Sequence, residues 1–168
     1  MLESLITSKT RLRLLVKFFI NIANQGYLNS LANEFGESTN SVRKELNNLT
    51  SAGYLKKYNT NNKVIYKANS SHPLFKIIQQ VVHKHIGIFD IVENVCDRIG
   101  DVKKIIVLGD YAMGIDSGLI EVLIVGENLD KQYLDDISPK IEKKIKRKVN
   151  FFVSNKPLKQ DSLTIFEA

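Results

Sequence analysis

One cysteine and three histidines are the whole supply of the usual metal-binding and nucleophilic side chains of those two types in 168 residues. The lone thiol, Cys96, excludes an internal disulfide, and its place beside Val92, Val95 and Ile99 at helical spacing predicts a buried sulfur. No cluster of Cys and His has zinc spacing, and the histidines all fall between residues 72 and 85, so no nucleophile–histidine–acid set can be read. His83 and His85 stand two apart on an expected helix and do not share a face, which makes them polar decoration of that helix rather than a metal pair. No apolar run approaches the ~20 residues that cross a bilayer. Lys9, Arg11 and Arg13 precede no signal-like apolar core, so a cytoplasmic protein with no membrane partner is expected.

What is present is the composition of an ordered globular chain, 43% hydrophobic and 25% charged. Its net charge of +6 is unevenly spread: residues 1 to 85 hold twelve Lys/Arg and four Asp/Glu, net +8, and residues 86 to 168 hold twelve and fourteen, net −2. The first half is therefore the one suited to a polyanion.

From Ser8, a side chain able to cap a helix, Leu12, Leu15, Val16, Phe19 and Ile20 recur at spacings that predict one apolar helical face, with Gly26 as the stop. A short helix is expected around 30–35, and Gly36 supplies a left-handed turn residue. Ser38 then caps a third helix in which Val42, Leu46 and Leu49 face inward, while Thr39, Asn40, Ser41, Arg43, Lys44, Asn47 and Asn48 face out. After Gly53, two short strands, 54–58 and 63–68, flank the polar tip 59–62.

The spacing Ala32, Gly36, Val42 resembles the helix-turn-helix pattern, with Glu45 as a departure at a position often apolar and Leu46 taking over the core contact. With the hairpin, the segment is similar to the winged helix-turn-helix domains of bacterial regulators, in particular the metalloregulator-like and multiple-antibiotic-resistance-like groups. That resemblance implies a helix in the major groove of double-stranded DNA, offering Asn40, Arg43, Lys44 and Asn47 to base edges and Thr39, Ser41, Lys56, Lys57 and Lys63 to phosphates. A solvated polar face or a protein-binding winged helix is the alternative use.

Downstream, Pro73 opens a helix carrying Leu74, Ile77, Ile78, Val81 and Val82 on one broad face, Gly87 interrupts it, and a further helix with Ile88, Val92, Val95, Cys96 and Ile99 ends at Gly100. So much apolar surface serves either to pack domains together or to pair two chains, and a homodimer suits paired half-sites.

The rest reads strand (103–108), turn, strand (120–125), helix (131–146) and strand (149–153), a small mixed sheet with helices against it. Leu134, Ile137, Ile141 and Ile145 form the stripe of the helix, and the run Lys143, Lys144, Lys146, Arg147, Lys148 suits a solvated helix end where the dipole favours cations. Within it, LGDYAMGIDSGLIEVLIVG resembles the minimal nucleotidyltransferase signature, and with HPLF, Gly87 and the upstream winged helix nearly the whole chain resembles bacterial fusions of the two domains.

That resemblance implies a Gly-Ser pair holding a triphosphate, two strand carboxylates holding two Mg²⁺ ions and a third acid on a later strand. Here Gly109 is retained, the serine is Asp110, the first carboxylate is Leu119, the second is Glu121 and the third falls at Asn150. Leu119 cannot ligand Mg²⁺, and Asp110 repels the phosphates that a serine would bind, so Gly109 and Asp110 are at most a vestigial nucleotide site, with no metal and no cofactor expected. GDYAMG is no P-loop either, since no Gly-Lys-Ser/Thr follows.

The expected architecture is thus α+β: a winged helix-turn-helix domain (1–70), a helical connector and dimerisation segment (71–100) and a degenerate nucleotidyltransferase-like domain (101–168). The expected function is DNA-binding transcriptional regulation by a non-enzyme, its last domain serving dimerisation, partner binding or the sensing of a small-molecule or nucleotide effector. The rivals are residual nucleotidyl transfer to a protein or RNA partner, with Glu121 and Asp116 or Asp110 as improvised ligands, and a non-enzymatic nucleotide sensor seated on Gly109.

Overall fold

The computed structural model describes residues 1–158 and 162–168 and folds them as α+β, in two units, Met1–Val82 and His83–Ala168. The division falls inside one helix, so the stretch 71–100 is shared between the units.

Unit 1 runs α1 (Lys9–Phe19), β1 (Gln25–Gly26), α2 (Leu28–Phe35), α3 (Thr39–Ser51), β2 (Leu55–Thr60), β3 (Lys63–Ala68) and the start of α4 (Phe75–Ile86). Ser8 caps α1 by accepting from Arg11 N at 3.2 Å, and Ser38 caps α3 by accepting from Ser41 N at 3.2 Å. The buried apolar residues of α1 are Leu14, Val16, Phe18 and Phe19, followed by Ile20 at its C-cap, whereas Leu12 and Leu15 of the expected stripe are only partly covered. The reason is that α1 meets α3, β3 and the short 3₁₀ turn Leu2–Ser4, so it is wrapped on more than one side.

Gly26 does not stop α1, which ends at Phe19; it lies in β1 opposite Tyr66, and a Cβ there would press on Leu31 Cδ2 at 2.9 Å. Gly36 does make the expected turn, at φ 63°, ψ 35°. Val42, Leu46 and Leu49 of α3 are buried against Ala32 and the rest of the core. In the hairpin, Asn61 and Asn62 both take positive φ, 45° and 64°, the two-residue turn whose twist matches paired strands. The sheet order is β1-β3-β2, all antiparallel.

Unit 2 adds α5 (Ile88–Cys96), β4 (Asp101–Leu108), α6 (Gly109–Ala112), β5 (Leu119–Glu127), α7 (Lys131–Ile145), β6 (Lys148–Ser154) and β7 (Ser162–Glu167). Its sheet is mixed, in the order β6-β5-β4-β7, with β5 and β6 parallel. Ile105 and Val107 on β4 pair with Ile124 and Val122 on β5, and these side chains are fully buried. Ile91 and Val95 of α5 and Leu134, Ile137, Ile141 and Ile145 of α7 complete that core. The opposite face carries Leu108, Glu121, Leu123, Asn150 and Phe152, fixed by the pairings of Glu121 with Leu108 and Asn150 and of Leu123 with Phe152.

Two residues depart from expectation. His85 is buried rather than an exposed decoration, because its stretch of α4 turns into unit 2, where its carbonyl accepts from Arg147 Nη1 at 3.2 Å. Cys96, at the end of α5, is only partly buried. Burial, followed by the charge of Asp97, raises its thiol pKa and makes it a poorer nucleophile. No helix among the described residues is long and apolar enough to cross a membrane.

Candidate functional site

The four carboxylates of the first 85 residues are Glu3, Glu34, Glu37 and Glu45. Glu3 pairs with the terminal amine, and the other three close on successive cations of α1: Lys17 with Glu34 at 3.0 Å, Arg13 with Glu37, and Arg11 with Glu45 at 2.8 Å. The last pair explains the odd acid of α3. Glu45 is 7% exposed, which alone would raise its pKa, but hydrogen bonds from Arg11 and Ser8 and the Arg11 charge outweigh burial and hold it below the usual carboxylate range. An acid at a core-facing position is thereby paired, and it ties α3 to α1.

The consequence is a sorting of charge. Arg43 and Lys44 on α3, and Lys56, Lys57, Lys63 and Lys67 on the hairpin, form no salt bridge among the described residues. Thr39, Asn40, Ser41, Arg43, Lys44, Asn47 and Asn48 are all exposed, as their spacing predicts. Arg43 Nη1 donates to Asn40 Oδ1 at 3.2 Å, which orients guanidinium and amide together along the helix face. Ser41 is less free, since its hydroxyl lies 2.9 Å from that of Ser38 in the cap.

Strand register divides the hairpin cations more finely than sequence could. The pairs Lys56 with Lys67, Tyr58 with Ile65 and Thr60 with Lys63 share one face, and Lys57 points to the other with Tyr66. Lys56 and Lys67 stand directly opposite each other, a like-charge pair that destabilises a hairpin unless an anion lies near. Lys67 was not among the sequence candidates; only the register reveals it. Lys63 Nζ sits 4.3 Å from the ring centre of Tyr27, a cation–π contact that holds this lysine toward the body of the unit.

In unit 2 the nucleotidyltransferase-like positions can be placed on the sheet. Leu119 lies opposite Lys148 and Glu121 opposite Asn150, so all three positions of the resemblance share one face, and Glu121 is the one carboxylate among the three. Gly109 has φ 60°, a backbone conformation that favours glycine, and the atom a Cβ there would press on is the flexible end of the Glu121 side chain, so the backbone is what keeps this glycine. Asp110, next to it, is exposed. Among the described residues no group of three His, Cys, Asp or Glu converges in a manner able to hold a metal ion.

Asp116, the improvised ligand of the rival reading, is committed elsewhere. Arg147 Nε donates to its Oδ1 at 2.9 Å and Nη2 to its Oδ2 at 2.6 Å, a two-pronged pair. The fully buried Tyr111 hydroxyl donates to Asp116 and accepts from Gly118 N at 3.0 Å. Burial works to raise the Asp116 pKa, and the Arg147 and Tyr111 hydrogen bonds overcome it, leaving the carboxyl below its ordinary range. Burial and the same carboxylate push the Tyr111 phenol well above its ordinary value. The cluster fixes the turn between α6 and β5.

No protein-family model, curated protein or solved structure matches this chain.

Proposed function

We propose that the protein is a DNA-binding transcriptional regulator in which unit 1 acts as a winged helix and unit 2 is a nucleotidyltransferase-like module without catalysis. The supporting observation is the allotment of acids in unit 1: they close on α1 and the N-terminus, and the cations of α3 and of the hairpin stand without carboxylates. Arg43 and Asn40, already joined, suit paired hydrogen bonds to a guanine and an adenine edge. Lys56 and Lys67 suit phosphates, whose negative charge relieves the repulsion between the two opposed lysines.

A homodimer fits the same reading, because two copies would meet paired half-sites. Ile77 and Val81 on α4, with Leu74 in the turn just before it, are 55%, 40% and 42% exposed, an apolar stripe of the kind that pairs helices. Selection of bound fragments from random duplex DNA tests function and symmetry together. Recovery of a two-fold symmetric motif supports both, and recovery of no enriched sequence counts against the regulator.

The retained Glu121 beside Gly109 motivates a second reading, residual nucleotidyl transfer. It has one carboxylate where the resemblance implies three, and recruiting Asp116 would break its pair with Arg147. Labelled ATP with Mg²⁺ decides it: label transfer that Glu121→Ala abolishes would establish the enzyme, and absence of transfer removes it.

A further inference from the structure

The cation run Lys143, Lys144, Lys146, Arg147, Lys148 reads in sequence as a solvated helix end, but the fold distributes it unequally. Lys144 turns to the buried Asp90 at 2.5 Å, Arg147 locks Asp116, and Lys148 meets Glu142 at 3.0 Å. Lys143 and Lys146 have no ion-pair partner among the described residues. Both line one cleft of about 430 Å³, together with Arg147, Lys148 and the backbone of Gly118. Pro139, inside α7, gives it a stiff wall, and Glu142 is the one carboxylate on its lining.

Lys146 is the left-handed cap of α7, φ 57° and ψ 38°, where glycine or asparagine is the usual occupant. A lysine held there, beside Arg147 and at the negative end of a helix dipole, is locally favoured only on grounds of charge at the dipole. Arg147 and Lys148 are balanced by Asp116 and Glu142, which leaves the charges of Lys143 and Lys146 set against a dipole of roughly half a charge.

We infer that this cleft binds a compact phosphate-bearing anion of at least two charges. The shared chemistry is a phosphate group, which a small phosphorylated molecule or a DNA backbone could supply. The surroundings favour the small molecule. Residues 86 to 168 carry net −2, and Asp130, Asp135 and Asp136 lie exposed on or at the start of α7, so an extended polyanion would be repelled beyond the cleft where a compact one would not. The inference goes beyond the DNA reading and does not rest on it.

Calorimetric titration of the full chain with inorganic pyrophosphate at fixed ionic strength tests it, alongside a fluorescence assay of duplex binding on the same samples. Saturable pyrophosphate binding is expected for the natural chain and for Lys56→Ala. The double variant Lys143→Gln/Lys146→Asn, whose asparagine tolerates the left-handed cap, should bind on the order of a hundredfold more weakly. Lys143→Gln alone leaves the cap untouched and should lose about tenfold. Duplex affinity should be unchanged in both cleft variants. Absence of saturable binding, or equal binding by natural and variant chains, would overturn the site. Loss of duplex affinity in the cleft variants would overturn the assignment to a small anion and give the cleft to DNA. Failure of the natural chain to bind any duplex, with pyrophosphate binding intact, would sink the regulator and leave this inference standing.

Discussion

In unit 1 the acids gather on one side of the charge ledger, closing on α1 and the terminal amine, whereas in unit 2 they are dealt out along the elements: Lys103 with Glu127, Lys104 with Glu167, Lys144 with Asp90, Arg147 with Asp116 and Lys148 with Glu142. The difference teaches that pairing, more than net charge, separates a surface open to a polyanion from one that is merely charged. Most exposed pairs in unit 2 contribute little to stability, about 0–1 kcal/mol each. What they do is set a carboxylate beside each of these cations and offset its charge.

The sharpest way to separate the units is Arg147→Ala. It strands Asp116 and the Tyr111 hydroxyl, and a pair whose arginine is 12% exposed should cost about 2 kcal/mol, reduced from the fully buried case because Asp116 keeps 34% exposure. Denaturant unfolding should show that loss in unit 2 while duplex affinity stays constant; a parallel fall in affinity would break the comparison. Arg43→Ala comes next, relaxing sequence preference by about 1–3 kcal/mol at one base, read by competition between the selected motif and its point variants. Lys67→Ala should weaken all duplexes alike by several-fold and lower the salt slope by about one. Lys57→Ala, on the other hairpin face, should do less, and equal effects would contradict the division by register.

The smallest effect is in acid. Asp116 and Glu45 both have lowered folded pKa values, so their contributions are present above the unfolded carboxyl values, about 3.9 and 4.3, and are lost as pH falls through the lower folded ones. Asp116→Asn should therefore be less stable near neutrality and flatten the loss of unit 2 stability below about pH 4. An unchanged acid profile would show that the pair is not maintained in solution.

Much of unit 1 was legible in the sequence because its signals are local. Ser8 and Ser38 cap helices, Gly36 turns with positive φ, and Val42, Leu46 and Leu49 follow helical spacing, each decided within a few residues. What was missed depends on distant partners. Glu45 is explained by Arg11, 34 positions away, and Asp116 by Arg147, 31 away. The burial of Leu14 and Phe18 follows from the elements that surround α1, and Lys67 acquires meaning only when register sets it against Lys56. Strand β7 went unread because six residues, SLTIFE, alternate too weakly to stand out without the β4 edge that pairs them. In the candidate site of unit 2, single residue identities were readable, but the neighbourhood of Glu121, Gly109 and Asn150 required the sheet.

The most direct test of the account is the affinity of the full chain for its selected duplex between 50 and 200 mM salt. If the bare cations of α3 and the hairpin grip phosphates as a dimer with ~6 contacts, affinity should fall on the order of a thousandfold across that range. An affinity that hardly changes with salt would contradict it.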